Sequence, residues 1–98
     1  MYIQVVDLRW TWDAEKANKN LEKHKVSFEL AERARGDPLA ISIPNDYPAE
    51  ERWTTLGSPT VDGGIVLYVV HTWPDDEVGR IISARLATSH ERREYEER

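Results

Sequence analysis

The 98-residue chain has no cysteine, which excludes disulfide staples, thiolate nucleophiles and cysteine-ligated metals. Its three histidines, at positions 24, 71 and 90, lie too far apart to give a metal-ligand spacing. Long apolar runs are missing as well. The longest, residues 65–70, is far short of the roughly 18 that suggest a membrane span. No charged-then-apolar leader follows Met1, so a cytoplasmic protein with no membrane contact is the expectation. P-loop, dinucleotide and G-x-S-x-G fingerprints are absent, and no cofactor or metal is expected. The length suffices for one hydrophobic core and not for two, so residues 1–98 read as a single domain.

The net charge of −5 at pH 7 argues against a nucleic-acid partner until its distribution is read. Residues 1–38 are balanced, and all four lysines (Lys16, Lys19, Lys23 and Lys25) fall within ten residues of one another. The acidic excess lies after Pro38, in residues 46–51, 75–77 and 91–97. A local basic patch is therefore compatible with an acidic protein.

Hydropathy patterning divides the chain into strands and helices. Residues 2–9 alternate weakly and read as a strand. Asp13 offers an N-cap to a helix over residues 14–24, with Trp12 and Ala17 placed for a hydrophobic staple. The apolar stripe of that helix is Ala17, Leu21 and His24. Lys16, Lys19, Asn20 and Lys23 form a polar stripe expected to face solvent. Ser27 caps a second helix, which carries Phe28, Leu30, Ala31 and Ala34 inward and stops at Gly36-Asp37-Pro38. Strands follow at residues 39–43, closed by Pro44, at 52–56 and at 65–73, the last covered on both faces as a central strand requires. Asp62-Gly63 marks a turn between the last two.

The final strand, with Ile81, Ile82, Ala84 and Leu86, runs into a helix through Thr88-Ser89-His90-Glu91, a T-x-x-E capping box. The order β-α-α-β-β-β-β-α describes an α+β domain, an antiparallel β-sheet packed by two N-terminal helices and one C-terminal helix. Arg85 interrupts the final strand, where an unpaired buried charge costs about 3–5 kcal/mol. It either pairs with Glu51 or Glu91 or opens into a cleft that takes an anion. Strand parity sets Arg85 with Ile81 and Ser83, and Arg80 on the opposite face unless a bulge intervenes.

The ordered motifs W-x-x-x-K-A-x-x-N at residues 12–20, K-H-x-V-S-F-E at 23–29, D-P-L-A-x-S-I at 37–43, E-R-W at 51–53 and I-I-S-A-R-x-A-T-x-x-E-R-R-x-Y at 81–95 resemble the BrnT family of type II toxin–antitoxin toxins. The resemblance spans nearly the whole chain. It implies a RelE-like fold and a ribonuclease that cuts RNA to slow growth. It also implies a ribbon-helix-helix antitoxin bound as a heterotetramer, with operator DNA contacted only through the antitoxin. One departure is Lys25, where the family usually has glycine. A non-glycine residue in the left-handed position costs roughly 1 kcal/mol, so a differently shaped helix end is expected.

Cutting RNA without a metal needs a base for the 2′-hydroxyl, cations against the phosphorane and an acid for the leaving oxygen. Arg85 ranks first, since its planar fork suits a phosphate; Arg52 and Lys23 complete the cationic catalytic set, with Lys23 a base if its pKa falls. His71, at the end of the central strand, is the candidate acid. Lys16, Asn20, His24 and Arg80 are candidate substrate contacts. Trp53 and Trp73 are candidates for base stacking, although each is more often core. An inactive relative that binds an antitoxin, or a protein-interaction module, is the alternative reading.

Overall fold

The computed structural model describes residues 9–45, 51–72 and 78–97. The expected first strand lies outside the described residues except for Arg9, as do Trp73 and the acidic residues 46–50 and 75–77.

Local sequence chemistry sets the helix boundaries. β1 (Arg9–Thr11) leads into α1 (Ala14–His24), where Asp13 Oδ1 accepts from the amides of Glu15 and Lys16 at 2.8 and 3.1 Å. α2 (Phe28–Arg35) starts at Ser27, whose hydroxyl accepts from the Leu30 amide at 3.1 Å. Between the helices Lys25 adopts the left-handed conformation, with φ 61° and ψ 27°, and its amide donates to the Leu21 carbonyl. The helix end is therefore not reshaped, because the lysine takes the glycine conformation and bears the strain. Lys25→Gly is expected to stabilise the protein by about 1 kcal/mol, read as a higher urea midpoint at unchanged slope.

β2 (Ile41–Asn45), β3 (Arg52–Gly57), β4 (Leu67–His71) and β5 (Val78–Leu86) form an antiparallel meander. β1 joins the β5 edge in parallel, giving the order β1-β5-β4-β3-β2. The wholly antiparallel sheet expected from sequence is corrected at this edge. No hairpin connects β1 to its neighbour, since the chain leaves β1 through two helices and returns at the far side of the sheet. Pro44 lies inside β2 rather than after it, which an edge strand tolerates.

One sheet face, with Leu67, Val69, Ile81 and Ala84, meets Val26, Phe28, Ala31 and Ala34 to form the main core. On the other face α3 (Ser89–Glu97) packs Tyr95 against Leu56 and Val66. The capping box forms as expected: the Thr88 hydroxyl accepts from the Glu91 amide, and Glu91 Oε1 accepts from the Thr88 amide. The Asp37 carboxylate ties three elements together by accepting from the Ser58 and Leu39 amides and the Tyr95 hydroxyl. α3 leaves part of its face open, where Ile43 is 61% exposed.

Two placements differ from the sequence expectation. Asn20, expected on the solvent stripe, is 7% exposed, whereas Leu21 is 46% exposed. The inward line of α1 is thus Ala17, Asn20 and His24. β1 pairs with β5 only as far as Arg80, and beyond it no strand among the described residues pairs with that edge of β5. There the Asn20 amide donates to the Ala84 carbonyl at 2.8 Å and accepts from the Ala84 amide at 3.2 Å, as a neighbouring peptide unit would. It also donates to the Val26 carbonyl at 3.0 Å. Both N–H donors of the amide are used inside the fold, so none is left for substrate. The second difference is a bulge. Val70 pairs with Ser83 and His71 with Ile81, which leaves Ile82 as the extra residue. Ile81 and Ala84 both enter the core as a result, and Arg80 and Arg85 turn to the same face.

Candidate functional site

The register assembles the face that carries α3. Arg52 on β3 alternates with the buried face and is followed by Thr54 and Leu56; Tyr68 and Val70 stand beside them on β4, and Ser83 and Arg85 on β5. Arg52 and Arg80 lie at one end of this face. Between them is Thr72, whose amide donates to the Arg80 carbonyl and whose hydroxyl accepts from the Arg80 amide, both at 2.9 Å. Two strand spacings, about 10 Å, separate the two arginine backbones. Arg52 is half-buried and Arg80 exposed at this end of the sheet.

Arg85 sits further along, at the wall made by α3. Its Nη1 and Nη2 donate to the two Glu91 carboxylate oxygens at 2.8 and 3.0 Å, and its guanidinium lies 3.8 Å over the Tyr68 ring. Hydrogen bonding to Arg85 holds the Glu91 carboxyl below the usual carboxylate range, and the same bonds raise Arg85. Of the two partners expected from sequence, Glu91 is therefore the one. Four residues of β4, about 13 Å, separate the Tyr68 row from Thr72, so Arg85 does not converge with Arg52. A small cavity of about 130 Å³ at this wall is lined by Ile41, Leu56, Tyr68 and Glu94 among others. A larger hollow, about 600 Å³, lies among Pro38, Val61 and Glu96 at the opposite end from Arg52 and Arg80, and holds none of the expected site residues.

His71 points to the other face and has no exposed surface. Its Nδ1 donates to the Thr72 carbonyl at 2.8 Å, so Nε2 accepts from the Thr55 hydroxyl at 2.7 Å. Ser42 Oγ lies 2.7 Å from the same Thr55 oxygen and extends the chain to β2. Burial pushes the imidazole down to about 4; the bond to Thr72 opposes this and the charge of Arg35 adds to it. A neutral, fully enclosed ring does not deliver a proton to RNA, and the expected acid role of His71 is corrected to a structural one.

Sequence reasoning missed Arg35 and Trp10. The Arg35 guanidinium lies 4.7 Å over the Trp10 ring, and Trp10 stands edge-on to His71 at 5.1 Å. Partial burial lowers Arg35. Gly79 makes room, since a Cβ there would fall 2.3 Å from the Trp10 ring. The available signal was the basic residue beside buried Ala34 at the end of α2. Trp53, paired across the ladder with His71, is half-buried on this face.

On α1, Lys16 and Lys23 are exposed, His24 is half-buried and Asn20 is buried. α1 packs on the edge of β5 through Asn20, which places it two strands away from Arg52 on β3. Among the described residues no three His, Asp or Glu side chains cluster as metal ligands.

The geometry defines a small α+β domain with Arg52, Arg80 and Arg85 on one face of a five-stranded sheet. A family model described as the ribonuclease toxin, BrnT, of type II toxin–antitoxin systems matches residues 12–91, and the chain belongs to that family. The crystal structure of the Brucella abortus ribonuclease toxin BrnT is similar in fold, with a TM-score of 0.60 and 23% identity, covering 84% of this chain and 99% of that one. No curated protein matches. No helix among the described residues is long and apolar enough to cross a membrane.

Proposed function

We propose that the protein is a cytoplasmic endoribonuclease toxin that cleaves RNA without a resident metal. A ribbon-helix-helix antitoxin holds it in a heterotetramer, and the complex represses its own promoter. The observation that carries the catalytic part is the placement of Arg52 and Arg80 on one face of the sheet, flanking Thr72. Two guanidinium groups there stabilise the charge that builds on the phosphorane, the term that dominates when no strong acid is at hand. Arg85, oriented by Glu91 and stacked on Tyr68, walls the site and fixes the position of α3 rather than contacting the reacting phosphate.

The test is RNA cleavage by the free purified chain, with growth arrest on expression as a second readout. Arg52→Ala and Arg80→Ala should each lower kcat by about 10²–10³, the usual loss for one charge-stabilising donor. Full activity in both variants removes these residues from the mechanism. An intact chain that binds a small ribbon-helix-helix protein but cuts no RNA makes it an inactive co-regulator instead.

A further inference from the structure

The lysines of α1 are the charged cluster that the arginine face does not use. At about 100° per residue, Lys16, Lys19 and Lys23 fall within about 60° of one another on a single stripe. The buried line of the helix is Ala17, Asn20 and His24, to one side of that stripe. The flank beyond the buried line faces the start of α2 across a hollow lined by Trp12, Ala14, Asn18 and Leu21. The lysines therefore occupy the flank turned away from α2. The Asn20 bonds to Ala84 hold α1 against the β5 edge beyond Arg80, so this flank forms the rim of the sheet beside β5, the strand that carries Arg80 and Arg85. All three lysines are exposed, and none forms an ion pair or side-chain hydrogen bond with a described residue. Glu15 and Glu22 lie on the next stripe toward solvent and bound the basic one.

We infer that Lys16, Lys19 and Lys23 form a rim that tracks the phosphate backbone of single-stranded RNA and guides it to the arginine-bearing face. The three ammonium groups are spread along about 10 Å of helix axis, with no aromatic side chain among them. That composition contacts phosphates and reads no bases. It reassigns Lys23 from base to backbone contact. The identity of the polyanion rests on the ribonuclease reading.

The experiment measures binding of the full chain to a labelled single-stranded RNA with 2′-O-methyl riboses, which resists cleavage, over a series of salt concentrations. Three phosphate contacts contribute about 2 to the slope of log K against log salt for a single strand. The triple variant K16Q/K19Q/K23Q should lose that amount of slope and keep the wild-type thermal midpoint. K16R/K19R/K23R should retain the wild-type slope. An unchanged slope in the glutamine variant overturns the inference, as does a rim that binds anionic vesicles in place of RNA. The two readings fail separately. A wild-type chain that cuts no RNA but shows the lysine-dependent slope loses the ribonuclease reading and keeps the rim; a chain that cuts RNA with a lysine-independent slope does the reverse.

Discussion

Asn20→Ala is expected to destabilise the protein by roughly 3–5 kcal/mol, a large share of the 5–15 kcal/mol typical of a domain. The asparagine satisfies the Ala84 amide, the Ala84 carbonyl and the Val26 carbonyl, and Val26 and Ala84 are 2% and 1% exposed. Each buried group left without a partner costs about 1–3 kcal/mol, with water recovering a part. Asn20→Asp should be no better, because a carboxylate still accepts from the Ala84 amide but donates to neither carbonyl and brings a charge into the core. Urea unfolding measures both variants, and a loss below about 1 kcal/mol in Asn20→Ala would show that α1 does not depend on this amide.

The second large effect is a loss of stability in mild acid caused by His71. In the native protein burial holds its pKa at about 4, while the unfolded chain titrates near the ordinary 6.5. Between those values the unfolded chain carries the extra proton, so stability falls as pH drops from about 6.5 to about 4 and is fully present above that window. At 1.36 kcal/mol per pKa unit the loss is roughly 3 kcal/mol. The Arg85–Glu91 pair has its own acid dependence, because a lowered carboxylate loses its contribution only as pH falls below the ordinary carboxylate range. The Glu91 loss therefore begins at the low end of the His71 window, near the ordinary carboxylate value of 4.5, and continues below it. An NMR titration of the His71 ring and unfolding curves from pH 7 to pH 4 measure the effect, with His71→Gln expected to flatten the upper part of the decline. A native His71 that titrates near 6.5 would refute the prediction.

Features governed by a few neighbouring residues were legible in the sequence. The caps at Asp13 and Ser27, the Thr88–Glu91 box and Glu91 as a candidate partner for Arg85 depend on contacts within six positions, which side-chain chemistry dictates locally. The alternation of Leu67, Val69 and His71 against Tyr68 and Val70 was equally plain. The motifs that resembled the BrnT family led to the family itself.

What stayed hidden depended on partners far along the chain. Asn20 reads as a surface amide until β1 ends short and exposes the β5 edge 64 positions away. The extra residue at Ile82 reverses strand parity and brings Arg80 to the face of Arg52, and hydropathy carries no sign of it because Ile81, Ile82 and Ala84 are all apolar. His71 ends an apolar strand, and only the positions of Thr55, Trp10 and Arg35 enclose it and strip it of its proton. The sequence by itself determined where helices begin, which strands are buried and which charged residues were in play. Tertiary structure decided which of those charges meet and which are spent inside the fold, because pairing, register and burial are set by contacts that no local stretch of chain contains.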